Sequence, residues 1–356
     1  MKFISRKLLE AIAGIAKFTS WDDDFSVLIL RERKIIVIID VHAHYLPKAV
    51  GQPKYRDFFE VRDGDQGKQV FIGGNLIVRL EPGLIDLAVQ IADMDATGID
   101  RRFLSVPPFA FLYEHKDATR WAMLINDSYR EDIALFADRF RLLATLPLKS
   151  TDDACTELER IMAMPEYVGV EIATNIAGKE LSDPSLDAFW AAAEKFGAFV
   201  LVHPYYYIET PRFSRFHIAN LIGNHLETML TATYLMADGV IEKYPKLKIC
   251  LSHGGGYLPL GVARLDHGFA VRPEFAHMKQ VPSELARGFY VDTILYDDEC
   301  IDFVIKRMGS SQVMLGTDYP FDMRDPDPVG AIKRAVTDGN IREAVFCENI
   351  KKILKY

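Results

Sequence analysis

Five side chains able to bind a metal ion stand where apolar runs of the sequence stop. The run Ile35-Ile36-Val37-Ile38-Ile39-Asp40-Val41 enters His42-Ala43-His44, and Ala198-Phe199-Val200-Leu201-Val202 enters His203-Pro204. Lys248-Ile249-Cys250-Leu251-Ser252 enters His253 and three glycines, and Gln312-Val313-Met314-Leu315-Gly316-Thr317 enters Asp318-Tyr319-Pro320. Side chains two apart on a strand point the same way, so His42 and His44 project together. Imidazoles with one carboxylate suit Zn²⁺, Mn²⁺ or Fe²⁺, and four protein ligands leave a coordination position for water. Such a water is acidified from its ordinary very weak acidity to near neutral, which gives hydroxide at physiological pH. His253 has a different part: its glycines open the backbone to a ligand, and its ring can orient or deprotonate that water or donate a proton. The plainer roles for it are a fifth ligand or a packed loop residue.

These residues meet only if the elements beneath them converge. The β-branched run before His42 reads as a strand buried on both faces, which belongs in a parallel sheet covered by helices. Further strands are expected at 102–106, 141–146, 168–172, 198–202, 248–252, 289–292 and 312–317, alternating with helical apolar spacing at 84–97, 117–137, 152–164, 186–196 and 226–243. Eight such units predict an α/β fold, a single (β/α)₈ TIM barrel over residues 35–356, and its strand ends share one face. Residues 48–80 break the alternation with Gly, Asp and Gln; two short apolar alternations around Gly73-Gly74 predict a small antiparallel β insertion after strand 1. Its last residue, Arg79, is expected over the metal. Residues 1–34 form a separate N-terminal extension. Lys2, Arg6 and Lys7 precede an apolar run, but Glu10 interrupts it, so an amphipathic helix with Ile4, Leu8, Ile12 and Ile15 on one stripe is expected.

Composition narrows the class. Hydrophobic residues at 49% and charged residues at 26% are those of an ordinary globular chain. A net charge of -8 without a Lys/Arg block argues against nucleic acid or an anionic membrane as partner, and no segment reaches the ~18 uncharged apolar residues that span a bilayer. The four cysteines are widely spaced and form no CxxC, so a reducing, cytoplasmic setting is expected. His115, His217, His225, His267 and His277 read, by residue type alone, as surface or structural histidines.

The order HxH, strand-five His, strand-six His, strand-eight Asp resembles the amidohydrolase superfamily. Leu251-Ser-His253-Gly-Gly-Gly-Tyr-Leu-Pro259, Glu242-Lys-Tyr-Pro-Lys-Leu-Lys248, Asp266-His-Gly-Phe269 and Leu315-Gly-Thr-Asp-Tyr-Pro-Phe321 are similar to its decarboxylase branch, which includes 2-amino-3-carboxymuconate 6-semialdehyde decarboxylase. The similarity runs from about residue 35 to the end. It implies a metal-dependent, non-oxidative carboxy-lyase. One divalent ion, Zn²⁺ ahead of Mn²⁺ or Fe²⁺, would be held by His42, His44, His203 and Asp318, with no organic cofactor. His253 and Asp318 would be catalytic. Arg264 matches an arginine that reaches a substrate carboxylate across a dimer interface, which implies a homodimer or higher oligomer. Arg79 is the candidate for a second, same-chain arginine, since a bidentate clamp fixes a carboxylate in one orientation.

The substrate region departs from the branch pattern. Pro204-Tyr205-Tyr206-Tyr207 replaces Pro-Trp-Asp, His217 stands where a pocket tryptophan is expected, and Gly223-Asn-His-Leu-Glu-Thr228 replaces Gly-x-Pro-x-Glu-Thr. Tyr205 and His217 are therefore expected to touch the substrate, a small aromatic or muconate-semialdehyde-like carboxylic acid. The enzymatic alternative is a hydrolase or hydratase acting on a lactone, amide or unsaturated acid at the same centre. The non-enzymatic one is a ligand-binding barrel.

Overall fold

Seven parallel strands, curled into one sheet, carry the ends at which the metal-competent residues stand. The computed structural model describes residues 36–65, 67–205 and 211–354; the expected N-terminal helix lies outside them. In chain order β1 (Ile39–His44) is followed by β2 (Glu60–Gly64), β3 (Gly67–Ile72) and β4 (Asn75–Arg79), then by β5 (Arg101–Ser105), β6 (Phe140–Ala144) and β7 (Tyr167–Ala173). A two-residue pair, β8 (Asn175–Ile176) and β9 (Lys179–Glu180), precedes β10 (Phe199–His203), β11 (Lys248–Leu251) and β12 (Tyr290–Val291). The sheet order is β1-β5-β6-β7-β10-β11-β12.

The last expected strand, 312–317, is not a regular one. The segment nevertheless reaches both edges of the sheet: Met314 N–H donates to Val291 O at 2.9 Å, Val41 N–H to Leu315 O at 2.9 Å, and His44 N–H to Tyr319 O at 2.7 Å. Asp318 sits here at φ 58, a left-handed conformation unusual for a non-glycine residue, which interrupts the ladder before a strand can extend. Likewise the expected 289–292 strand shortens to two residues because Asp292 turns its carboxylate to backbone N–H groups.

Helices Leu87–Thr97, Ala118–Ile133, Thr151–Met162, Asp187–Phe196, Asn224–Ala237, Leu258–Val271 and Asp298–Met308 alternate with the strands. Several begin on side-chain caps: Asp86, Ser150 and Asp297 accept from Ala88, Asp153 and Cys300 N–H, each satisfying a donor the helix leaves open. One apolar cluster gathers Ile39, Val41, Phe103, Leu143, Phe199, Leu201, Cys250 and Met314 from strands all around the sheet, so it fills the inside of the curl. Cys347, Ile350 and Ile353, near the end of the chain, close it.

Two local features aim the first histidines. β1 slips register against β5 between Asp40 and Ala43, and bulges of this kind re-aim side chains. Val41 packs in the inner cluster, whereas Asp40 turns outward to the buried Arg102, whose guanidinium continues to Gln90 and Asp93 on helix Leu87–Thr97. After the slip His42 faces inward with Val41. Between β1 and β5, β2, β3 and β4 form a three-stranded antiparallel sheet, turned at Gly73 and Gly74, both at positive φ.

Candidate metal centre

Three imidazoles present lone pairs to one point, and their backs show why. His42 Nδ1 lies 2.7 Å from Asp292 Oδ2, His44 Nδ1 3.1 Å from Val106 O, and His203 Nδ1 2.9 Å from Pro204 O. Each partner only accepts, so each Nδ1 carries the hydrogen and each Nε2 is left as a lone pair. The Nε2 atoms of His42 and His44 are 3.2 Å apart, and His203 Nε2 is buried without a partner. Asp318 Oδ1 is 3.1 Å from His44 Nε2 and 3.6 Å from His42 Nε2, yet is buried outside hydrogen-bond geometry. Unpaired donor atoms converging in a buried site suit a cation placed between them.

Glu171, on β7, is one of two buried carboxylates at the centre that the strand-end pattern did not single out. It groups with His42, His44 and His203, while Asp318 groups with His42, His203 and His253. Its carboxylate approaches His44 at Nδ1, 3.9 Å away, which is the back of a ring whose Nε2 faces Asp318. Asp318 therefore completes the front of the cluster and Glu171 stands behind it. Burial pushes the Glu171 carboxyl up to about 7.

His253 closes the other side. Its ring centroid is 5.0 Å from that of His203 and 5.4 Å from that of His42, and its Nε2 is 3.5 Å from Asp318 Oδ2. Burial opposes its charge, but the Asp318 and Asp292 carboxylates outweigh that and raise its pKa. His203 goes the opposite way, held neutral by burial and by the neighbouring imidazoles. Burial would raise Asp318; the neighbouring His253 overcomes it and holds the carboxyl well below the usual range. Asp292 ties the halves together. Besides His42 Nδ1 it accepts from the N–H groups of His253 at 3.0 Å, Gly254 at 2.8 Å and Ile294 at 3.2 Å.

An amidohydrolase family model matches residues 39–356. The chain belongs to the amidohydrolase family. It is 32% identical over 299 residues to a 2-amino-3-carboxymuconate-6-semialdehyde decarboxylase of Dictyostelium discoideum, covering 82% of this chain and 83% of that one. It is 27% identical over 297 residues to a gamma-resorcylate decarboxylase of Rhizobium radiobacter, covering 77% and 89%. A dihydroxybenzoic acid decarboxylase from Polaromonas sp. JS666, crystallised with manganese and the inhibitor 2-nitroresorcinol, shares the fold with a TM-score of 0.73 at 22% identity, covering 90% of this chain and 97% of that one. The expected likeness to the decarboxylase branch is borne out.

A cavity of about 430 Å³ opens onto the cluster of this amidohydrolase through His203 and Asp318. Leu76, Ile77 and Val78 of β4, with Phe109 and Phe321, give it apolar walls; Tyr205, His217, Asn220 and Asn224 give it a polar one. Tyr205 and His217 thus line the cavity. Arg79 does not: it lines a neighbouring cavity with Glu81, Asp322 and Arg324, because β4 turns its preceding residues, not its last, toward the centre. Arg264 is exposed on helix Leu258–Val271 and is absent from both linings. Asp292 and Glu171 were the functional residues missed, although each interrupts an apolar strand with a carboxylate. Among the described residues no helix is long and apolar enough to cross a membrane.

Proposed function

We propose that the chain is a metal-dependent, non-oxidative decarboxylase of a small aromatic or unsaturated carboxylic acid. His42, His44, His203 and Asp318 hold one divalent ion, Zn²⁺ by the nitrogen-rich donor set, with Mn²⁺, the ion of the Polaromonas structure, as second candidate. The observation that carries this reading is the convergence of Nε2 lone pairs and an unpaired Asp318 oxygen at a cavity of small-molecule size. The names of the Dictyostelium and Rhizobium relatives favour decarboxylation over hydrolysis or hydration.

The bound ion supplies positive charge that steadies the substrate's anionic groups. Phe109, Phe321 and β4 exclude water from one face of the substrate. His253, whose pKa Asp318 and Asp292 raise against the effect of burial, gives its proton to the carbon that bears the carboxylate. The bond from that carbon to the carboxylate then breaks, its electron pair restores the unsaturated system, CO₂ leaves, and His253 remains neutral. Arg264, exposed and outside the cavity, fits a carboxylate reader for a second copy, which makes the functional unit a homodimer or a higher homo-oligomer. Mixing Arg264→Ala with His253→Ala chains then restores part of the activity lost in each; no recovery in mixed dimers removes the shared site.

The test is metal content of the purified protein together with CO₂ release from 2,6-dihydroxybenzoate, aminobenzoates and carboxymuconate semialdehydes. Near-stoichiometric metal and CO₂ from one of these acids is the expected result. Metal with substrate loss but no CO₂ gives the centre to a hydrolase or hydratase, and failure to bind metal on reconstitution overturns the centre itself.

A further inference from the structure

Among the described residues, three that line the metal-facing cavity carry a buried polar atom without a hydrogen-bond partner: His203 Nε2, Asp318 Oδ1 and Asn224 Oδ1. The first two are explained by the cation they converge on. Asn224 is not part of that cluster. It is the first residue of helix Asn224–Ala237, directly after the π-helical turn Ala219–Gly223, and only 6% exposed. A buried acceptor left unpaired costs free energy, and a donor on a molecule that enters the cavity would remove that cost. His217 and Asn220 line the same cavity from the preceding turns, and Leu76, Ile77 and Phe109 supply apolar lining.

We propose that Asn224 is a specificity residue whose side-chain oxygen accepts a hydrogen bond from a hydroxyl or amino group on the substrate. The substrate class is thereby narrowed to carboxylic acids that carry such a donor on the side facing the start of this helix. This rests on the decarboxylase reading for the identity of the ligand as an acid, and on the unpaired oxygen for the donor. An acceptor fixed by packing and by the helix start discriminates strongly, because a substrate lacking the donor leaves the amide unpaired again.

The experiment is calorimetric titration of the metal-loaded protein with two unreactive probes, 2-nitroresorcinol and nitrobenzene, in wild type, Asn224→Leu and Asn224→Asp. Leucine keeps the volume and removes the acceptor; aspartate keeps the acceptor. Wild type is expected to prefer 2-nitroresorcinol. In Asn224→Leu its Kd rises about tenfold, the worth of one such bond, with nitrobenzene binding and metal content unchanged, and Asn224→Asp retains the preference. An unchanged 2-nitroresorcinol Kd in Asn224→Leu overturns the proposal, as does equal binding of both probes by wild type, or a parallel loss for both in Asn224→Leu. Asn224-dependent binding with no CO₂ from any acid sinks the decarboxylase reading and leaves the donor site standing. CO₂ release with an Asn224-independent preference does the reverse.

Discussion

His253 and Asp292 separate chemistry from support. His253 groups with His42, His203 and Asp318, but in the proposed reading it moves a proton while His42, His44, His203 and Asp318 hold the ion. His253→Gln is therefore expected to keep its metal, measured by elemental analysis, while CO₂ release falls about 10²–10⁴-fold, the usual worth of one proton-transfer group. Asp292 touches no substrate. Its carboxylate fixes the His42 tautomer and takes the N–H groups of His253 and Gly254. Asp292→Asn replaces one carboxylate oxygen with a donor that faces those donors. Metal affinity is expected to fall about 10–100-fold in a competitive chelator titration, ahead of any loss of fold. At this scale the sequence was most legible where a residue type is rare at a strand end: His42, His44, His203, His253 and Asp318 announce themselves. Glu171 and Asp292 were read as strand residues, because alternation alone does not reveal which face of a strand meets the centre. Asn224 drew notice only as a departure from the branch pattern.

The elements were legible as an alternation, and what was missed is where the alternation breaks. The slip in β1 between Asp40 and Ala43 turns Asp40 outward and His42 inward, and no propensity records it. The outward side holds a chain of charges that runs from the buried interior to the surface: Thr317 Oγ1 donates to Asp40 Oδ2 at 2.7 Å, Arg102 Nε donates to the same oxygen at 2.8 Å, and Asp93 joins Arg102 to the half-exposed Arg324. This chain fixes β1 and the residue before Asp318 in mutual register, so it positions two ligands without touching either. Arg102 is fully buried, and burial already pushes the Asp40 carboxyl up against the effect of Arg102. Arg102→Met strands that carboxylate. The expected cost is about 3–5 kcal/mol, the loss seen when one member of a buried pair is removed, read as a lower denaturant midpoint with an unchanged slope. Weaker metal binding accompanies it. A variant as stable as wild type would show that Asp40 takes a proton without strain.

For the whole molecule, folding and ligation are linked, because a cation that holds His42, His44, His203 and Asp318 ties β1, β10 and the closing segment 313–319 together. With free metal at about a thousand times its dissociation constant the linkage is worth about 4 kcal/mol, so chelation is expected to lower Tm by roughly 5–10 °C and readdition to restore it. Acid acts on a different group. His225 is partly buried beside His253, and burial, then the His253 charge, holds its pKa down to about 4, whereas an unfolded histidine titrates near 6.5. Between those values the unfolded chain binds a proton that the folded chain refuses, so stability is complete above pH 6.5 and is lost as pH falls toward 4. The limiting slope is about 1.4 kcal/mol per pH unit, and less here because solvent reaches part of the ring. His225→Asn removes the group from both states. The difference in unfolding free energy between variant and wild type, followed in chelated protein from pH 7 to pH 4.5, is expected to move toward the variant as the solution is acidified. Comparing the two proteins at each pH cancels the contributions of histidines remote from His225 and leaves His225 with its coupled neighbour His253. A difference that stays flat across the window would mean that His225 takes up its proton in the folded protein as readily as in the unfolded one.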